Sequence, residues 1–202
     1  MLISIDGIYG AGKSTLIRQL SSSFNLKIIP WNSCEEVHFY FSAMRKRGEL
    51  NDPLVYYMML LNDFAFTYER IVRPLIEQGI DIIMDRYFLS LIVRGEMRGL
   101  TPEFCKNALS FAKNPDISIV LDVSVNNAIA RRGIPDQSVW KIGLKSCTDQ
   151  YNSYSDYLAV MRAKYLWYAK ETNSIVLNTD KLNCEDVFNY FSYLLKFQNS
   201  SR

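Results

Sequence analysis

The sequence predicts an α/β fold in which a parallel sheet is covered by helices on both faces. Three observations carry that reading. Five short runs rich in Ile and Val alternate with longer stretches of helical spacing. The runs are continuously apolar, as strands buried on both faces should be. The chain has 202 residues, enough for one good-sized core and rarely for two.

Taken in order, the strands are expected at Leu2–Asp6, Leu26–Pro30, Ile80–Asp85, Ile117–Asp122 and Ser174–Asn178. The first helix is expected over Lys13–Ser23. Asp52 followed by Pro53 reads as an N-cap and first helical residue, with the apolar pattern running to Gln78 and Gly79 as its stop. Pro74 should kink the end of that helix. Thr101-Pro102-Glu103 starts another helix, ended by Asn114-Pro115. Asn183 with Asp186 opens the last. One domain, residues 1–197, accounts for the chain, with 198–202 as a frayed tail.

Composition excludes several roles. Apolar residues make up 49% of the chain, a globular composition. A formal charge of +2 gives no support for binding a nucleic acid polymer or a membrane surface. Cys34, Cys105, Cys147 and Cys184 form no CxxC pair, so neither a zinc site nor a redox motif is expected. They read as buried or half-buried thiols in a reducing compartment. The apolar start stops at Asp6, too soon for a secretion signal, and no run is long enough to span a membrane. A cytoplasmic location is the expectation.

Residues 7–14 read Gly7-Ile8-Tyr9-Gly10-Ala11-Gly12-Lys13-Ser14, the pattern G-x-x-x-x-G-K-S between a strand and an amphipathic helix. Glycines let the backbone wrap phosphates with its N–H groups inward, and the helix start adds positive potential. The expected nucleotide contacts are Gly7, Tyr9, Gly10, Ala11, Gly12, Lys13, Ser14 and Thr15. Lys13 supplies a point charge for the outer phosphates, and the Ser14 hydroxyl a ligand for Mg2+. The fold expected is therefore a P-loop NTPase with a five-stranded parallel sheet flanked by helices and a short lid. ATP and Mg2+ are the expected cofactors, and a small phosphoryl acceptor the expected partner.

Asp85-Arg86-Tyr87 closes the third strand, where open parallel sheets place their ligands. Asp85 is a candidate for holding Mg2+ or orienting an acceptor hydroxyl, and Arg86 for gripping an acceptor phosphate. Ser90 and Arg94 lie four residues apart on the following helix and are candidates to line the acceptor pocket. The basic segment Ala128–Lys145 carries Arg131, Arg132, Lys141 and Lys145 and reads as a mobile lid, about 126–145. Either arginine is a candidate to neutralise the transferring phosphoryl group. His38, among Phe39, Tyr40 and Phe41, is assigned to packing, and so are the tyrosines from Tyr151 to Tyr168. The apolar helix after Asp52 offers a face for a homodimer.

With these motifs in hand, the chain resembles the thymidylate kinase family within the nucleoside and nucleoside-monophosphate kinases. The resemblance rests on Ile5-Asp6-Gly7 into the loop, Arg73-Pro74-Leu75 with Gly79, and Asp85-Arg86-Tyr87 with Ser90. It extends through Leu121-Asp122-Val123, Arg131-Arg132-Gly133, Arg162 to Tyr165 and Glu185-Asp186-Val187. It implies an ATP-dependent kinase of a nucleoside monophosphate or nucleoside-like molecule. Four positions depart from the pattern. Tyr9 stands where thymidylate-specific members have Asp. Ile29-Pro30-Trp31-Asn32 replaces an Arg-Glu-Pro stretch. Phe64 replaces the helix arginine that meets thymine, and Val93-Arg94 replaces a Tyr-Gln pair. Deoxynucleoside kinases have an apolar residue at the Tyr9 position but Glu-Arg-Ser in place of Asp85-Arg86-Tyr87. An acceptor other than thymidylate is therefore expected, read through Tyr9, Phe64, Arg86, Ser90 and Arg94. The alternative is a nucleotide-binding regulatory module or a degenerate kinase homologue. A GTPase switch lacks its signals, Asp-x-x-Gly after the third strand and Asn-Lys-x-Asp later.

Overall fold

Leu2, Ile3 and Ile5 are fully buried at the centre of a five-stranded, all-parallel sheet. They belong to β1 (Leu2–Asp6) in a computed structural model that describes residues 1–31, 33–144 and 151–199. The other strands are β2 (Lys27–Ile29), β3 (Ile82–Asp85), β4 (Ile117–Asp122) and β5 (Ile175–Asn178), in the spatial order β2-β3-β1-β4-β5. In register, Ile5 stands beside Asp85 and Asp6 beside Val120.

Three strands start or end inside the predicted runs, because the flanking N–H groups either have other partners or are missing. Gly79 N–H donates to Ile76 O at 2.9 Å and Ile80 N–H to Leu75 O at 2.9 Å, closing the preceding helix. Ser174 N–H donates to Ala169 O in the same way, at 2.8 Å. Pro30 has no N–H to extend the edge strand β2.

The helices are α1 (Lys13–Ser23), α2 (Glu35–Lys46), α3 (Pro53–Thr67), α4 (Arg73–Glu77), α5 (Phe88–Glu96) and α6 (Pro102–Asn107). They continue with α7 (Val125–Arg132), α8 (Gln137–Trp140), α9 (Tyr154–Glu171) and α10 (Cys184–Asn199). The chain moves from β1 outward to β2 and later from β4 to β5, so its right-handed crossovers cover opposite faces. α1 and α10 pack together on one face, α5 and α9 on the other.

Asp52 caps α3 by accepting from the N–H groups of Leu54 and Val55. Between α3 and α4 lies one π-helical turn, Tyr68–Val72, in which Arg73 N–H donates to Tyr68 O. Pro74 explains it: its ring excludes the carbonyl four residues back, and the wider turn makes room. α6 ends at Asn107, well before the expected Asn114. Three-residue turns follow, and the Lys113 N–H is taken at 2.8 Å by the Tyr68 hydroxyl. α10 runs through Asn199, so the helix enters the segment assigned to a tail; 200–202 lie outside the described residues.

Packing departs from expectation at two places. His38, Phe39 and Tyr40 are exposed, Phe39 to 77%, because α2 buries no residue fully; Phe41 alone of that group packs inward, against Tyr56. Cys184 is exposed, whereas Cys34 is half-buried and Cys105 buried; Cys147 lies outside the described residues. The tyrosines at 151, 154, 157, 165 and 168 are buried, as expected. No helix among the described residues is long and apolar enough to cross a membrane.

Candidate functional site

β1 delivers the chain at Asp6 into the loop Gly7–Gly12, and α1 begins at Lys13. The loop is close-fitting. A Cβ on Gly10, at φ +76°, would lie 2.7 Å from the Ala128 carbonyl oxygen and 2.8 Å from its Cα. Neither backbone atom can yield, so only glycine fits against α7 there. Ser14 and Thr15 are exposed at the start of α1, and Tyr9 is 49% exposed on the outer side of the loop.

Lys13 is buried, and its ammonium donates to the carbonyls of Gly7 at 3.0 Å and Ile8 at 2.7 Å. Burial pushes its pKa well below the ordinary lysine value, and the neighbouring Arg86 charge pushes the same way. A buried cation with only neutral carbonyl partners is a site built for an anion.

At the end of β3, Asp85 is half-buried, and its Oδ1 is buried with no hydrogen-bond partner. Arg86 has φ +76°, a left-handed conformation costing about 1–2 kcal/mol for a residue with a side chain. Its N–H bonds to Ile5 O, and its Nη1 donates to Gly7 O at 3.0 Å, with Ser90 Oγ and Tyr165 Oη each at 3.4 Å. The strained turn thereby places the guanidinium beneath the phosphate loop, 5.9 Å from the Tyr9 ring centre.

Asp6 organises this floor. Its Oδ1 accepts from Tyr87 N–H at 3.2 Å, Ser90 N–H at 3.1 Å and Ser90 Oγ–H at 2.5 Å, which caps α5 from a neighbouring strand. Burial raises the Asp6 pKa despite these bonds. Ser90 is fully buried, sharing a 2.8 Å hydrogen bond with the Tyr165 hydroxyl. It holds the floor together and does not line an open pocket.

Arg94, one turn beyond Ser90 on α5, donates through Nη1 to the Tyr56 hydroxyl at 3.1 Å and stacks 5.5 Å from the Trp31 ring centre. Its Nε is buried without a partner. Phe64 sits apart from these cations, 4% exposed among the rings of Tyr68, Tyr87, Phe88 and Phe111. It offers an apolar wall and no hydrogen bond.

The basic segment after β4, read as a lid, begins as the regular helix α7. Arg131 is tied down: Nη1 donates to Gly10 O at 3.2 Å and Thr179 Oγ1 at 3.1 Å, and Nη2 to Thr179 O at 2.7 Å. Arg132 is exposed in the last turn. Trp140 anchors the far end of the segment on Tyr154 and Tyr157. Lys145 lies outside the described residues.

Sequence reasoning missed Tyr56, Arg98 and Tyr165, whose roles arise from contacts between helices and leave no local pattern. Asp6 had a signal, an acid ending a strand directly before the loop.

The thymidylate kinase family model matches residues 5–190. The chain belongs to the thymidylate kinase family. That places it among the phosphotransferases, in a family that acts on nucleoside monophosphates and uses ATP, typically with Mg2+. It is 30% identical over 182 residues to a probable thymidylate kinase of Sulfurisphaera tokodaii, covering 87% of this chain and 86% of that one. Its likeness to probable thymidylate kinase 2 of Saccharolobus solfataricus is 27% over 135 residues, 65% of this chain and 63% of that one, under two thirds of its length. The fold matches that of the Candida albicans thymidylate kinase with a TM-score of 0.76 at 15% identity, over 100% of this chain and 93% of that one.

Proposed function

We propose that this family member phosphorylates a nucleoside monophosphate from ATP, and that its acceptor pocket is not built for thymidylate. The observation that carries the reading is the buried Lys13, hydrogen-bonded to the Gly7 and Ile8 carbonyls, beside the unpartnered Asp85 Oδ1 at the phosphate loop. The loop from Gly7 to Thr15 would hold the donor phosphates. The Ser14 hydroxyl and the Asp85 carboxylate are hard oxygen donors that fit Mg2+. When bound, Mg2+ would neutralise charge on the phosphate oxygens.

The residues then divide the work. Lys13 exchanges its two carbonyl partners for donor phosphate. Arg86, held under the loop by Gly7 O and Tyr165, binds the acceptor phosphate. Arg131 braces the loop at Gly10, which leaves the exposed Arg132 to approach the phosphoryl group as the segment 126–145 closes and excludes water. Tyr9 and Arg94 supply an aromatic and cationic acceptor pocket, with Phe64 behind it in the apolar core. The Candida albicans thymidylate kinase, on the same fold, is described as having broad substrate specificity.

A homodimer is part of the reading. Leu54, Met58 and Phe66 of α3 are apolar and each more than 40% exposed, and so is Phe39 of α2, the helix packed against α3.

The test is ATP turnover with each common nucleoside monophosphate and nucleoside, for wild type and Lys13→Ala. Preference for a monophosphate other than thymidylate, lost in the variant, is the expected result. Best turnover with thymidylate would overturn the acceptor assignment, and turnover unaffected by Lys13→Ala would overturn the site. Nucleotide binding without any acceptor-dependent turnover would favour the binding-only alternative.

A further inference from the structure

Arg94 carries a guanidinium for which the protein supplies no counter-charge. The groups facing it are Tyr56, Tyr157 and Tyr165, and no carboxylate pairs with it among the described residues. Among the described residues its one hydrogen bond goes from Nη1 to the Tyr56 hydroxyl, and the buried Nε has none. Sheltered charges are normally paired, because leaving water costs several kcal/mol. Its position is nonetheless fixed. Arg98, 2% exposed, donates from Nη1 to the Arg94 carbonyl at 3.0 Å and stacks on Tyr56, whose hydroxyl fixes Arg94.

Arg94 also converges on Arg86. The charges of both act on the Lys13 ammonium and on the hydroxyls of Tyr154 and Tyr165. Arg86 lies in the turn just before α5, and Arg94 stands six residues into it, a rise of about 9 Å from Phe88, a gap that two arginine side chains can close around a small anion. Arg86 makes its three side-chain bonds through Nη1 alone. Each arginine therefore keeps a donor edge of the kind that matches a phosphate's oxygens.

We propose that Arg94 is a second phosphate-binding residue of the acceptor site, gripping the acceptor's phosphate together with Arg86. The proposal rests on the kinase reading above and adds a specificity rule to it: the acceptor must bring its own dianion. An uncharged nucleoside leaves the half-buried Arg94 charge unpaired, so the site disfavours it. Trp31, stacked on the guanidinium, restricts Arg94 to the orientation the phosphate needs.

The test uses the full chain, a non-hydrolysable ATP analogue, and the common nucleoside monophosphates, the matching nucleosides and inorganic phosphate as probes. Thermal shift and steady-state kinetics are read for wild type, Arg94→Met, Arg94→Lys and Tyr56→Phe. Arg94→Met should raise the KM of the best monophosphate ~10- to 100-fold, the cost of one lost charged hydrogen-bonding partner, with the KM for ATP within about twofold. Arg94→Lys should recover part of the loss, and Tyr56→Phe should show a smaller rise. The stabilisation of wild type by a monophosphate over its nucleoside should shrink in Arg94→Met. An unchanged acceptor KM, or equal weakening of monophosphate and nucleoside, would overturn the proposal. If Arg94→Met does not fold, Tyr56→Phe decides alone by the same two criteria. Failure of the ATP analogue to stabilise wild type would instead overturn the kinase reading itself.

Discussion

The Arg98 guanidinium lies 3.8 Å from the centre of the Tyr56 ring, close enough for face-to-face stacking. The same side chain donates through Nε to the Ile142 carbonyl at 3.0 Å, at the end of the segment that begins with α7. Arg98 therefore joins three things: the helix α3 that carries Tyr56, the backbone of Arg94, and the chain beyond α8. Gly143 completes the join. At φ +71°, a Cβ there would meet Tyr56 Cβ at 2.8 Å and Arg98 Nε at 2.9 Å. Gly143→Ala should cost about 1–3 kcal/mol by overpacking, measured by urea unfolding. It should also raise the acceptor KM more than the ATP KM, because Tyr56 must move. Stability equal to wild type would show that the contact is loose.

Lys13 should be a case where function and stability oppose each other. Its burial works against its charge, as the lowered pKa records. Lys13→Met keeps the aliphatic length and removes the buried ammonium. The variant should lose phosphoryl transfer while unfolding in urea at the same concentration as wild type or a higher one. A marked loss of stability would mean that the carbonyl bonds to Gly7 and Ile8 outweigh the burial cost.

The two lid arginines should separate kinetically. Arg132→Ala should reduce kcat ~100-fold or more with little effect on ATP binding, as expected for a charge that acts on the transferring group. Arg131→Ala should weaken ATP binding, because it removes the bonds bracing Gly10 and Thr179. Steady-state kinetics with ATP titrations checks both, and the reverse pattern would exchange their roles.

Asp116 predicts a pH effect far from the site. Its carboxylate accepts from Leu2 N–H at 2.7 Å and pairs with Lys113 at 2.7 Å. Partial burial opposes the charge, but the Lys113 and Leu2 bonds outweigh it and hold the pKa below the ordinary 3.8. A depressed acid contributes stability above its unfolded pKa and loses it as pH falls through the folded one. Asp116→Asn should be less stable than wild type at neutral pH, and the gap should close below pH 3.8. Urea midpoints measured across that range check it, and a gap independent of pH would assign the effect to packing alone.

The sequence by itself determined the parallel sheet, the phosphate loop and the place of Asp85 and Arg86. These follow from local rules: apolar runs of strand length, glycines at fixed spacing, and ligands at strand ends. β1 and β4 were legible to the residue, and the other strands lost only ends whose N–H groups close a helix or turn, or that meet a proline. Tertiary structure alone decided what each polar side chain faces. Ser90 reads as a pocket residue on its helix, but Asp6 from a neighbouring strand claims it. Arg131 and Arg132 are equivalent in sequence, and only the nearness of Gly10 and Thr179 separates them. Arg94 became informative once the fold placed tyrosines around it and, among the described residues, no carboxylate partner. Partners like these come from residues tens of positions away, so packing assigns them and local pattern does not.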